Sequence, residues 1–307
     1  MLNSITLLIA ITLMYSTPMV FAGLGNLISE KTGVINIGVE GMMTIGAFAG
    51  AAVCYFSGNA WFGFLCAGLA GGVLAALHAA ASMVFQCDQT VSGIAVNLIG
   101  PGAALFICSL LFDGATSTQP VNDKIPKIFG DIPAEGLLGN LNMDVTVVIA
   151  FLMAAGMWWL FYKTKWGLHL QAVGEHPAAA DTLGIKVNRL RFGCVIASGV
   201  FAGFGGAAVT LGIVSQFTPI TIAGQGFISI AAVIFGKWTP HGAYGACLLF
   251  GFAQALTVLL GGGESVIPSQ ILAMLPYILT IVMLVLFVGR GVAPKASGKP
   301  YEKGSRT

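Results

Sequence analysis

The sequence predicts an all-α polytopic membrane protein of about eight to nine transmembrane helices, some of them broken or re-entrant, and three observations carry that prediction. Only 8% of the 307 residues are charged, against roughly a quarter in soluble domains, so the chain could not coat a water-facing surface. Hydrophobic residues make up 56%, and mean hydropathy is +0.88. Apolar runs of about 20 residues, the length that crosses a bilayer, recur from end to end. A soluble enzyme and a disordered chain are both excluded. The 42 glycines follow no Gly-x-y period, which excludes collagen. A net charge of +2, with no basic runs interleaved with aromatics, gives no footing for nucleic acid.

Nine runs lie between charges and turn residues: 5–28, 34–56, 60–85, 91–112, 145–162, 192–214, 220–236, 241–261 and 268–289. Met1 to Asn3 lack the basic start of a cleavable signal, so the first run is taken as a span, although Pro18, Gly23, Gly25 and Asn26 interrupt it. Orientation follows from lysine and arginine in the connections. The loop 163–191 holds Lys163, Lys165, Lys186, Arg189 and Arg191. The tail 290–307 holds Arg290, Lys295, Lys299, Lys303 and Arg306, whereas the connection 113–144 is acidic through Asp113, Asp123, Asp131, Glu135 and Asp144. Placing 163–191 in the cytoplasm puts 113–144 outside and the tail inside, with 12 of the 14 basic residues cytoplasmic. The whole of 1–307 reads as a single transmembrane domain.

Local features refine the spans. Trp61, Trp158, Trp159, Trp166 and Trp238 all fall near span ends, where an amphipathic indole belongs. Glycines four apart (Gly46/Gly50, Gly68/Gly72, Gly199/Gly203) let helix backbones approach closely, within one bundle or at a dimer seam. Six scattered cysteines, Cys54, Cys66, Cys87, Cys108, Cys194 and Cys247, have no C-x-x-C spacing and read as small packing residues. Two stretches break otherwise apolar runs: Gly33, Asn36, Gly38, Glu40 and Gly41 in one, Gln216, Thr218, Pro219, Thr221, Gly224, Gln225 and Gly226 in the other. Irregular backbone at membrane depth survives only against protein or a water-filled cavity, and paired breaks point to a transport site.

Glu40 is the one carboxylate well within an apolar run, and it either lines a path or is capped by nearby backbone. Asn36, Asn97, Gln216, Gln225 and Gln254 suit either hydrogen bonding to a polar solute or tying helices together. His78, alone among Ala and Leu, reads as a satisfied buried histidine. Paired intramembrane carboxylates are lacking, which counts against an ion-driven carrier; a self-sufficient carrier or channel using Glu40 is the contrasting reading. No catalytic constellation and no metal-ligand spacing is present, so no catalytic or metal residue is assigned. In the nearest approach to a phosphate-binding loop, Gly25 to Thr32, Glu30 replaces the second glycine, so ATP would have to act through another chain.

The loop from Ala172 to Ile185 is the most informative segment. Pro177 suits a first helical turn, Ala178, Ala179 and Ala180 propagate it, and Gly184 suits its stop. The expected product is a short surface helix with a small-residue face, able to dock into a groove of a partner.

Together these motifs resemble the permease subunits of bacterial ABC importers for branched-chain amino acids, ribose and nucleosides. The stretch 33–50 is similar to theirs. Gly174, Pro177, Ala179, Ala180, Gly184 and Ile185 match a G-x-N-P-x-A-A-x-x-x-G-I loop, and 224–236 largely matches G-x-G-F-x-x-I-A-V-A-x-x-G. His176 replaces the usual Asn, either of which can cap the helix, and Ala232-Val233 reverses the usual order. The form at Asn36–Gly41 most resembles the shorter permease of nucleoside importers, also labelled simple-sugar permeases. The resemblance implies the ABC-importer permease fold in the bacterial cytoplasmic (inner) membrane. It implies a coupling helix at Gly174, Glu175, His176, Pro177, Ala179, Ala180 and Gly184; the translocation path is placed near Asn36, Glu40, Asn97, Gln216 and Gln225 on their polarity within apolar runs and breaks. It further implies an ABC ATPase partner that binds the ATP and Mg, no cofactor on this chain, a second and different permease chain, and an external solute-binding lipoprotein.

Overall fold

A computed structural model describes residues 2–130, 137–261, 271–272, 274–287 and 293–302. The elements are α1 (Leu2–Lys31), α2 (Val39–Ser57), α3 (Ala60–Met83), α4 (Gln89–Leu111), α5 (Leu137–Asn140), α6 (Val145–Lys163), α7 (Lys165–Glu175), α8 (Pro177–Thr182), α9 (Val187–Ala207), a π-helical turn (Ala208–Val214), α10 (Gln225–Phe235), α11 (Pro240–Gly261) and α12 (Leu275–Phe287). The described residues hold no strand, only one isolated bridge between Lys127 and Asp144. Seven of their helices are long and apolar enough to cross a membrane. The tail residues Arg290, Lys303 and Arg306, the loop residues Asp131 and Glu135, and parts of the run 268–289 lie outside the described residues.

Two runs differ in detail from the sequence expectation. The first is one uninterrupted helix through Pro18. In the turn before the proline, Ser16 and Thr17 hydroxyls donate to the Leu13 carbonyl at 2.9 and 2.8 Å, next to Met14, whose carbonyl loses the amide that Pro18 lacks. The run 220–236 is helical only from Gln225 to Phe235. Eleven residues rise about 17 Å, roughly half a bilayer core, so α10 is the helical half of a broken span that runs from the 118–121 end to the basic end. Its missing first half is spent in turns: the Thr218 amide donates to Thr221 Oγ1 at 2.7 Å, and Gly224 sits at φ +87°.

α9 and its π-helical extension form the spine, packed along α1, α2 and α3. Glycine makes those crossings close: a methyl on Gly71 would strike the Gly199 carbonyl, and one on Gly46 would lie 2.5 Å from Gly203 Cα. At one end of the bundle, Thr118, Val121 and Ile125 amides reach Phe217, Ser215 and Leu211 carbonyls at 3.1, 2.8 and 3.3 Å. At the other, basic end, α7, α8 and residues 293–302 gather around the last turn of α1.

Candidate functional site: where two broken spans meet

Gly33 at φ +86° stops α1, and the chain turns back into the bundle before α2 begins. The next polar backbone groups need partners that water cannot supply there. Side chains from four helices provide them. Ser29 Oγ donates to the Val34 carbonyl at 2.8 Å, and Arg191 Nε to the Thr32 carbonyl at 2.9 Å. Gln89 Oε1 accepts from the Ile35 amide at 2.8 Å. His78 Nε2 lies 3.2 Å from the Ile35 carbonyl and Nδ1 lies 3.0 Å from Ser92 Oγ. A carbonyl can only accept, so the proton belongs on Nε2 and Nδ1 accepts from the serine. His78 is thus a satisfied buried histidine, as the sequence suggested. Asn97 bridges the gap, donating to the Ile37 carbonyl at 2.9 Å and accepting from the Gly41 amide at 2.8 Å. Asn36 accepts from the Gly38 amide at 3.1 Å and donates to Ser198 Oγ at 2.9 Å.

Depth follows from helix rise. Asn97 stands eight residues up α4 and Ser198 eleven up α9, or roughly 12–16 Å from the basic end at 1.5 Å per residue. The break therefore reaches about the middle of a bilayer core. There it meets the start of α10: Glu40 Oε1 accepts from the Gly224 amide and Oε2 from the Gly226 amide, each at 2.7 Å. Asn36, Glu40, Asn97 and Gln225 are brought together around this junction. Gln216 lies apart, in the segment whose neighbours Ser215 and Phe217 bond the 118–121 stretch. Among the polar residues of the junction, Gln225 has a buried Oε1 without a hydrogen-bond partner, and so does Gln254 on α11.

The basic-end loop forms the short helix expected of it. Pro177 occupies the first turn of α8, and Gly184 at φ +84° ends it. The Ile185 amide closes back onto the Ala180 carbonyl at 3.1 Å. His176 makes no side-chain cap; its backbone alone starts the helix. Ala180 is buried against Val173 and Val187, whereas Glu175, His176, Ala178 and Ala179 are exposed and Leu183 is 81% exposed. Gly174 is pressed against the Lys31 carbonyl. Clefts of about 550 and 510 Å³ flank α8, one toward Lys295, Lys299 and Tyr301, the other toward Trp166, Lys186 and Arg189.

Residues 293–302 strap this region to the break. The Ala296 amide donates to the Gly174 carbonyl at 2.9 Å and the Gly298 amide to the Gly33 carbonyl at 3.1 Å. Arg191 Nη1 donates to the Lys299 carbonyl at 3.1 Å, and Tyr301 hydrogen-bonds Asp181 on α8. Burial, then the Asp181 carboxylate, hold the Tyr301 phenol above its ordinary range. Sequence reasoning missed Arg191 as a structural residue, because its place in a basic loop was sufficient to explain it as a topology signal. Trp238 was read only as an interface marker, yet its indole donates to Glu30, which also accepts from Asn26 Nδ2 at 2.8 Å.

Residues 8–288 match the family described as branched-chain amino acid transport system / permease component. The chain belongs to this permease family. The permease is 43% identical to the guanosine ABC transporter permease protein NupQ of Bacillus subtilis, with 98% of each chain covered. It is 39% identical to the nucleoside ABC transporter permease protein NupC of Lactococcus lactis, again over 98% of each. A second Bacillus subtilis protein, the guanosine ABC transporter permease protein NupP, is 28% identical over 96% of the permease and 84% of its own length. Among solved structures, a chain described as a metal-chelate type ABC transporter in an inward-facing conformation superposes with a TM-score of 0.53 at 16% identity, covering 91% of the permease and 85% of that chain. That likeness establishes the ABC-transporter permease fold. The permease is accordingly a multi-pass membrane protein and the transport component of an ABC system.

Proposed function

We propose that the permease carries nucleosides inward across the cytoplasmic membrane as one half of an ATP-driven importer. The observation that carries this reading is the 43% identity to a guanosine permease along nearly the whole chain. A separate ATPase binds ATP and Mg, and an external lipoprotein delivers the solute. A second, different permease completes the membrane part; the occurrence of two such permeases, NupQ and NupP, in one organism supports that pairing. The basic end faces the cytoplasm and the 113–144 loop faces outward. α8 is the coupling helix, its exposed Ala178, Ala179 and Leu183 seated in the ATPase, with the strap 293–302 linking its movement to the break. The path passes the junction of Asn36, Glu40, Asn97 and Gln225 and continues by Gln216; the unpartnered Gln225 Oε1 is the group with spare capacity for a solute.

The test is uptake of labelled guanosine in cells with and without this chain, with unlabelled uridine, ribose and leucine as competitors. Uptake lost on deletion and suppressed by uridine alone supports nucleosides. Suppression by ribose or leucine instead would move the substrate to sugars or amino acids. Ala179→Arg is expected to abolish uptake while membrane insertion stays normal; undiminished uptake would overturn the coupling role of α8.

A further inference from the structure

α10 starts inside the bundle, where its first backbone N–H groups have no acceptor within their own helix and no bulk water. Glu40 fills that role from 184 residues away in sequence. One carboxylate oxygen takes the Gly224 amide and the other the Gly226 amide, each at 2.7 Å, and the Phe227 amide is also directed at it. The anion thus meets the positive end of the half-helix. The fit leaves no slack: a methyl on Gly226 would stand 2.6 Å from Glu40 Cα. Just past the far end of α10, the Trp238 indole donates to Glu30 of α1. The half-helix hangs between two carboxylates, one from each helix that flanks the first break.

We propose that Glu40 is a positioning residue for translocation. It fixes the start of α10 against α2, so that the half-helix, with Gln225 on its first turn, moves with α2 as one unit while the path opens and closes. Each oxygen of Glu40 already accepts a backbone amide, so the side chain is held in place by α10 itself, and the task assigned to it is to hold that start rather than to select solute. The inference rests on the permease reading and assigns this carboxylate a task different from that of Gln225.

Glu40→Gln tests it. The substitution keeps the size but turns one acceptor into an NH2 group that faces a backbone N–H, donor against donor. Exchange of the 224–227 amides in the purified chain is expected to rise about tenfold or more, the scale of a lost charge-assisted hydrogen bond. In cells with the complete importer, the saturating uptake rate per inserted chain is expected to fall by a similar factor. The half-saturating concentration and the order of competitors stay unchanged. Gly226→Ala, which leaves the carboxylate intact but lifts α10 off it, should reproduce both effects. The proposal is overturned if Glu40→Gln alters half-saturation or solute order with amide exchange unchanged, or if it leaves both rate and exchange at wild-type values. The exchange measurement needs no solute, so it decides the role of Glu40 even for a chain that carries something other than a nucleoside.

Discussion

The α3–α9 crossing offers a stability experiment with its own control on the same helix. A methyl at Gly199 would be driven into the Gly71 carbonyl oxygen and the Ala75 methyl. The obstacle at Gly71 is backbone, so no rotamer makes room, and the helices must part or distort by on the order of 1 Å. Overpacking of this kind costs about 1–3 kcal/mol, and a gap of that size forfeits roughly a quarter to a half of each dispersion contact along the seam. Against it stands the gain of about 0.5–1 kcal/mol when alanine replaces a helical glycine. Gly193 has nothing within 4 Å of where its Cβ would be, so Gly193→Ala receives the propensity gain alone. The gain cancels between the two variants, which should therefore differ by about 1–3 kcal/mol. The assay is unfolding of the purified chain by denaturing detergent in mixed micelles, followed by tryptophan fluorescence. Gly193→Ala should unfold at or above the wild-type midpoint and Gly199→Ala below it. Equal midpoints for the two variants would refute the argument that backbone contact at Gly71 sets the spacing of α3 and α9.

Two further outcomes follow from groups outside the spans and from the strap. Burial raises the Asp144 carboxyl to about 6, partly opposed by Lys127 and Lys124, from a usual value near 3.9. The folded chain then holds a proton that the unfolded chain releases, so stability falls as pH rises from about 4 to 6 and is level above that window; Asp144→Asn should flatten this slope in the same unfolding assay, and an unchanged slope would exclude Asp144 as its source. Arg191 is buried with two of its nitrogens on the Thr32 and Lys299 carbonyls. Arg191→Met should free the strap, seen as faster tryptic cleavage after Lys295 in the purified chain, and an unchanged rate would show the strap held by Gly298 and Ala296 alone.

The membrane character, the positions of the spans, the small-residue crossings, the two breaks and the α8 helix were all legible in the sequence. Each depends on neighbours within a turn or two: hydropathy summed over about 20 residues, glycines one turn apart, and a proline and a glycine bracketing three alanines. Even Gln225 and Glu40 stood out locally, as polar side chains in apolar surroundings.

The tertiary structure decided what those polar groups do. Apolar composition makes 220–236 look like a full span, but its helix starts only where Glu40, far away in the chain, accepts its first amides. Pro18 looks like a breaker, but Ser16 and Thr17 support the turn before it. Arg191 looks like a topology signal, but it holds the end of α1 and the strap together. The physical reason is common to all three. Burial of apolar surface is additive and nearly blind to partner identity, so a linear reading recovers it. A buried polar group must instead find one particular partner with the right geometry, and that partner is chosen by the fold.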